Sequence, residues 1–183
     1  MKLCNQKKLI HIVSLCVVVL ITCSPFVTAE DNQQKAAALN NSAVERIKNG
    51  NYQIAIDLLN EAISLQSDNG VFYFNRGYAY EGLKEYDKAI GDYTKAVSFI
   101  PDHWQSYLQR GSLYFLSKDC DNAVKDLSKT LELKPGVINA YNLRGLCYRH
   151  FGLWDKACSD FKKACELGDC SVLNSPGIKE KCN

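Results

Sequence analysis

The sequence predicts an all-α protein, a right-handed superhelix of four helix-turn-helix units (eight helices) followed by a short C-terminal capping segment. Three observations lead there. The chain aligns with itself at an offset of 34 residues, so that 36–69, 70–103, 104–137 and 138–171 form four units without a gap. Each unit carries two apolar patterns at i, i+3, i+4 and i+7, the signature of amphipathic helices. Short turns part the two patterns: KNGN at 48–51, LKE at 83–85, SKD at 117–119 and GLW at 152–154. One helix pair cannot bury its apolar face alone, so the units stack and curve around a concave groove.

Ahead of the first unit lies a segment of a different kind. Lys2, Lys7 and Lys8 precede a charge-free apolar run from Leu9 to Thr22, and Val27 and Ala29 occupy the −3 and −1 positions of a cleavage site. This is the pattern of a secretory signal peptide over 1–29, cut between Ala29 and Glu30. The run is shorter than the ~20 residues a spanning helix needs. Two alternatives keep the chain on a membrane: an uncleaved signal, or lipidation of Cys23 in LITC, where Thr22 departs from the small residue usual before such a cysteine. The expected protein is exported and bacterial in type, periplasmic or secreted, with 30–35 as an N-terminal linker.

Cleavage removes three lysines and no acid, taking the formal charge from +2 to −1. A nearly neutral chain of about 154 residues suits one domain with a real core. It offers no electrostatic case for nucleic acid or, after cleavage, for membrane binding. A monomer or weak oligomer is expected.

Taken in order, the units repeat their chemistry. Position 8 is Ala43, Gly77, Gly111 and Gly145, and position 20 is Ala55, Ala89, Ala123 and Ala157. Position 27 is Ala62, Ala96, Thr130 and Ala164. Large residues fall at 4, 11, 17 and 24, as Tyr73, Tyr80, Tyr86 and Tyr93 in the second unit. Pro101 and Pro135 at position 32 stop the second helix, because proline cannot donate to the preceding turn; Ser67 and Asp169 stand there in the outer units. With these residues in phase over 36–171, the chain resembles the tetratricopeptide repeat family.

Comparison among the units adds an ion pair. Units two to four carry Arg76, Arg110 and Arg144 at position 7 and Asp92, Asp126 and Asp160 at position 23, whereas unit one has Ser42 and Leu58. Joint presence and joint absence predict a structural pair between the two helices of one unit. Catalytic motifs are lacking: there is no GxSxG, P-loop, HExxH or GxGxxG. His103 and His150 read as solvated surface residues. No catalytic residue, metal site or cofactor is assigned, and the chain reads as a nonenzyme.

The family resemblance implies a groove lined by the first helix of each unit, and thus a protein or peptide partner. Its lining would include Asn40, Asn41, Val44 and Lys48, then Phe74, Asn75, Tyr78 and Glu81. It would continue through Gln105, Leu108, Gln109, Ser112 and Phe115 to Asn139, Asn142, Leu146, Arg149 and His150. Amides can bond an extended peptide's backbone while aromatics supply buried area. Phe74, Tyr78 and Phe115 are candidate anchors, and packing against neighbouring helices is the equal alternative. One subclass of the family grips chaperone C-terminal carboxylates with basic groove residues; Asn40, Val44, Gln105 and Gln109 stand at those places and only Asn75 matches, so that clamp is not expected.

Six cysteines remain after cleavage (Cys120, Cys147, Cys158, Cys165, Cys170 and Cys182), an even number in an oxidising compartment. Their spacing is not that of a zinc knuckle, nor is there a CxxC. In tetratricopeptide geometry Cys158 and Cys165 face whatever follows the last unit, namely the capping segment 172–183. An antiparallel return would pair Cys165 with Cys170 and Cys158 with Cys182, and Cys120 with Cys147 completes one of fifteen possible sets. The leading function is a noncatalytic interaction module or assembly scaffold of the cell envelope. A redox-active or metal-binding cysteine protein on the same scaffold is the alternative.

Overall fold

The computed structural model describes residues 28–182. Residues 1–27, with Cys4, Cys16 and Cys23 and all but the last two positions of the expected signal peptide, lie outside the described residues. Nine helices lie among the described residues: α1 (Ala29–Lys48), α2 (Tyr52–Leu65), α3 (Gly70–Gly82), α4 (Tyr86–Phe99), α5 (Trp104–Leu116), α6 (Cys120–Leu133), α7 (Ile138–His150), α8 (Trp154–Glu166) and α9 (Pro176–Cys182). They pack in pairs as α1/α2, α3/α4, α5/α6 and α7/α8, and each second helix packs on the first helix of the next unit. First helices also touch across units, α1 with α3 and α5 with α7, which places them on the inner side of the curve. None of the described helices is long and apolar enough to cross a membrane.

Small residues set the spacing. Positions 20 and 27 are wholly buried in all four units, from Ala55 and Ala62 to Ala157 and Ala164. The exception in residue type, Thr130, satisfies its hydroxyl by donating to the Asp126 carbonyl at 3.0 Å. The missing Cβ at position 8 makes room for the large side chain at position 24. A Cβ added at Gly145 would stand 2.5 Å from Phe161, and one at Gly77 would stand 2.9 Å from Tyr93. Both rings are wholly buried and have nowhere to move. Gly145→Ala is therefore expected to cost about 2–3 kcal/mol in urea unfolding, the upper part of the range for overpacking a filled core. Gly136→Ala, with open space around it, should stay within about 0.5 kcal/mol; equal effects at the two sites would contradict this packing.

The turns share a backbone device that the residue types only half disclose. Position 15 adopts the left-handed conformation in every unit, at Gly50 (φ 75°), Lys84 (φ 62°), Lys118 (φ 65°) and Gly152 (φ 74°). Glycine makes two of the four easy to read, whereas lysine bears a steric penalty there. The short turn held by its neighbours' packing overrides that local preference.

Both ends depart from expectation. Residues 30–35 are helix rather than linker, because α1 begins at Ala29 under a capping box in which the Thr28 hydroxyl accepts from the Asp31 N–H and the Asp31 side chain accepts from the Thr28 N–H. In the capping segment, Pro176-Gly177 opens a helix, α9, that the repeat pattern did not include. Proline is well suited to a first helical position, where its missing donor would have no partner anyway. The Ser175 carbonyl accepts from both Ile178 and Lys179 at 3.0 Å. Ile178 and Cys182 are buried against Ala157, Cys158 and Phe161, so α9 covers the flank that α8 would otherwise expose.

Candidate functional site

The groove is built on a repeated tie. Arg76 donates through Nε and Nη2 to both Asp92 oxygens at 2.7 and 2.8 Å. Arg110 does the same to Asp126 at 2.7 and 2.9 Å, and Arg144 to Asp160 at 2.8 and 2.8 Å. The pairs lie within units, between first and second helix. The third guanidinium nitrogen reaches backwards into the preceding unit: Nη1 of Arg76 donates to Asn60, of Arg110 to Thr94 and of Arg144 to Ser128, at 2.7, 2.9 and 3.1 Å. Sequence reasoning missed this second link, although a polar side chain at position 25 of units one to three was its visible trace. Tyrosines at positions 4 and 11 flank the cation, as Tyr73 and Tyr80 do Arg76 and as Tyr141 and Tyr148 do Arg144. The hydrogen bonds to Asp92 raise the already high pKa of Arg76, against a smaller downward push from burial.

On that frame the groove residues divide. Asn75 donates to the Asn40 side chain at 2.7 Å, joining α1 to α3. Phe74 is half-buried, 5.7 Å from the Tyr93 ring and edge-on to His103 at 4.8 Å, so it packs rather than projects. Burial lowers the pKa of His103, which lies half-buried rather than as free surface. Glu81, raised above the ordinary carboxylate range by burial, accepts from the Tyr93 hydroxyl at 2.8 Å. The Tyr93 phenol is in turn pushed up by burial and then by Glu81.

In unit three the Ser112 hydroxyl donates to the Leu108 carbonyl at 2.8 Å, and Leu108 packs into the core beside Leu127. Gln105 and Gln109 are half-buried. In unit four Asn139 and Arg149 are exposed, whereas Leu146 packs on the α8–α9 core. Asn142 leaves the groove set. It is buried and donates at 2.7 Å to Asp169, the residue standing where inner units have proline, while its own carbonyl oxygen has no partner. That contact anchors the exit loop. Tyr78, at 43% exposure, keeps an anchor's accessibility, whereas Phe115 is half-buried against the unit-three core with part of its surface lining a cavity of about 490 Å³.

The structure joins Cys158 to Cys182, with Cα atoms 5.2 Å apart, and Cys165 to Cys170, at 4.1 Å. The third expected pairing differs: Cys120 and Cys147 are buried neighbours but unbonded. Burial, and then the adjacent Cys120 thiol, push the Cys147 thiol well above its ordinary pKa. Exchange requires a thiolate, which is scarce there. Unreduced protein should release two titratable thiols on denaturation and almost none when native; no thiols after denaturation would mean that the third bond forms.

The tetratricopeptide repeat model matches residues 36–69, 71–103 and 105–136. Small glutamine-rich tetratricopeptide repeat-containing protein 2 of Saccharomyces cerevisiae is 36% identical over 62 residues, 34% of this chain. Serine/threonine-protein phosphatase 5 of Solanum lycopersicum is 40% identical over 62 residues, 33% of this chain. The chain spans only 18% and 11% of these relatives. Among solved structures, MamA superposes with a TM-score of 0.69 and 29% identity, over 72% of this chain and 77% of that one. The first TPR of Spaghetti (RPAP3), bound to the HSP90 peptide SRMEEVD, gives a TM-score of 0.63 and 29% identity, over 66% and 95%. The chain belongs to the tetratricopeptide repeat family of protein-interaction modules.

Proposed function

We propose that the protein is a noncatalytic adaptor of the cell envelope, exported by its signal segment, which holds an extended peptide or a partner helix in the concave groove. The exposure of Tyr78 on an inner helix, with the half-buried Phe115 opening onto a cavity in the third unit, carries this reading, since aromatics supply area and amides such as Gln105 and Gln109 supply hydrogen bonds. The peptide bound to the Spaghetti (RPAP3) repeat domain supports a peptide as occupant. The mode of grip differs from a carboxylate clamp, because Asn40, Val44, Gln105 and Gln109 supply no cation. Cleavage after Ala29 removes the Thr28 cap, yet leaves Glu30 and Asp31 in the first turn of α1, where the helix dipole favours acids.

Affinity capture from envelope extract tests the reading. Tyr78→Ala and Phe115→Ala should each lose the specific partners, by roughly tenfold or more in recovery, as truncated anchors do. Glu132→Ala, an exposed change on the second helix of unit three, should retain them. Retention of every partner by both aromatic variants would remove the groove from the mechanism.

A further inference from the structure

Between units three and four the groove deepens into the cavity of about 490 Å³, within the usual 300–1,000 Å³ of ligand clefts. Phe115, Leu116 and Leu146 form its apolar wall, with the buried Cys120 beside them. Leu116 is 58% exposed, the most open of the large apolar side chains among the described residues. Three exposed basic residues border the opening: Lys118 from the α5–α6 turn, and Arg149 and His150 from the last turn of α7. None of the three enters an ion pair among the described residues.

A purely local account explains part of this rim. Basic residues are favoured near a helix C-terminus, which accommodates Arg149 and His150. It does not account for Lys118, which comes from the turn of the preceding unit. Positive charge thus converges from two units on one apolar cavity, in a chain whose net charge after cleavage is −1.

We propose that this cavity seats an acidic peptide, one apolar side chain entering between Phe115, Leu116 and Leu146 while flanking Asp or Glu residues face Lys118 and Arg149. The inference rests on the groove reading and narrows it to a partner chemistry and a place. The apolar side chain supplies burial; the carboxylates set orientation and speed of encounter, so binding must weaken with salt.

The test is fluorescence polarisation of the full exported chain with a labelled Gly-Glu-Glu-Leu-Glu-Glu-Gly peptide and its Gln-for-Glu counterpart. The acidic peptide should bind, the neutral one roughly tenfold or more weakly, and added salt should narrow that gap. Lys118→Gln with Arg149→Gln should weaken the acidic peptide alone by about tenfold, and Phe115→Ala should weaken both peptides. Circular dichroism checks that each variant remains folded, and surface changes at Lys118 and Arg149 touch no core contact. Equal affinity for the two peptides, or no binding of either, overturns the assignment. So does loss of binding with Tyr78→Ala but not with the double basic variant. In each of these outcomes the groove reading still stands or falls by the capture experiment.

Discussion

Asp126→Ala is expected to lower the unfolding free energy by about 3 kcal/mol, near the lower end of the range for breaking a buried ion pair by removing one partner. Arg110 and Asp126 are 13% and 9% exposed, so little water reaches the cation left behind. The Thr94 hydroxyl at 2.9 Å and the Tyr107 ring would remain, and they offset only part of the loss. Arg110→Ala should also destabilise, since it strands the carboxylate. The double change Arg110→Met with Asp126→Leu should return to within about 1 kcal/mol of the parent, because apolar groups of similar shape carry no desolvation penalty. Urea unfolding of the three variants decides it. A double variant as weak as the singles would show that the pair's contribution is not the avoidance of an unpaired charge.

Cys158→Ser with Cys182→Ser is the second large expected effect. The bond spans a sequence separation of 24, and closing a loop of that size restricts the unfolded chain by about 3.5 kcal/mol on the entropic account. The Cys165–Cys170 bond closes a separation of only 5, for which the same account gives about 2 kcal/mol. The two double variants should therefore differ in stability, with the longer loop costing more. Burial widens the gap: α9 has few apolar residues besides Ile178, and without its bond it would leave Phe161 and Ala157 open to water. Thermal unfolding with hydrogen exchange on α8 measures both effects. Equal losses, or continued protection of α8 without the long bond, would mean that burial alone holds the cap.

Residues with one period and one neighbour were the readable ones. The 34-residue spacing set the helix pairs, and Arg76 with Asp92 could be inferred because unit one lacks both. The backward reach to Asn60, Thr94 and Ser128 was harder to see, since small polar residues on a helix surface ordinarily face water. Asn142 misled for a related reason. Its register places it in the groove, but Asp169 draws it into the end of the stack, and no inner unit shows such a contact. Lys84 and Lys118 hid a left-handed turn behind residues that do not advertise one. The helical start at Ala29 was masked by the signal-like pattern, whose expected cleavage site falls at the first turn of α1.

The backward-reaching arginines make the array directional. Each of units two to four fastens itself to the unit before it, and the last is further locked by two covalent bonds. Unit one receives a hand at Asn60 but extends none, and its Lys35–Glu61 bridge is too exposed to add much. Local opening then begins at α1 and dies out toward α8, as fraying does in a rope whipped at one end. A partner meets two kinds of surface along one groove: an entrance that yields at the first unit, and beside α7 a seat that must be fitted as it stands.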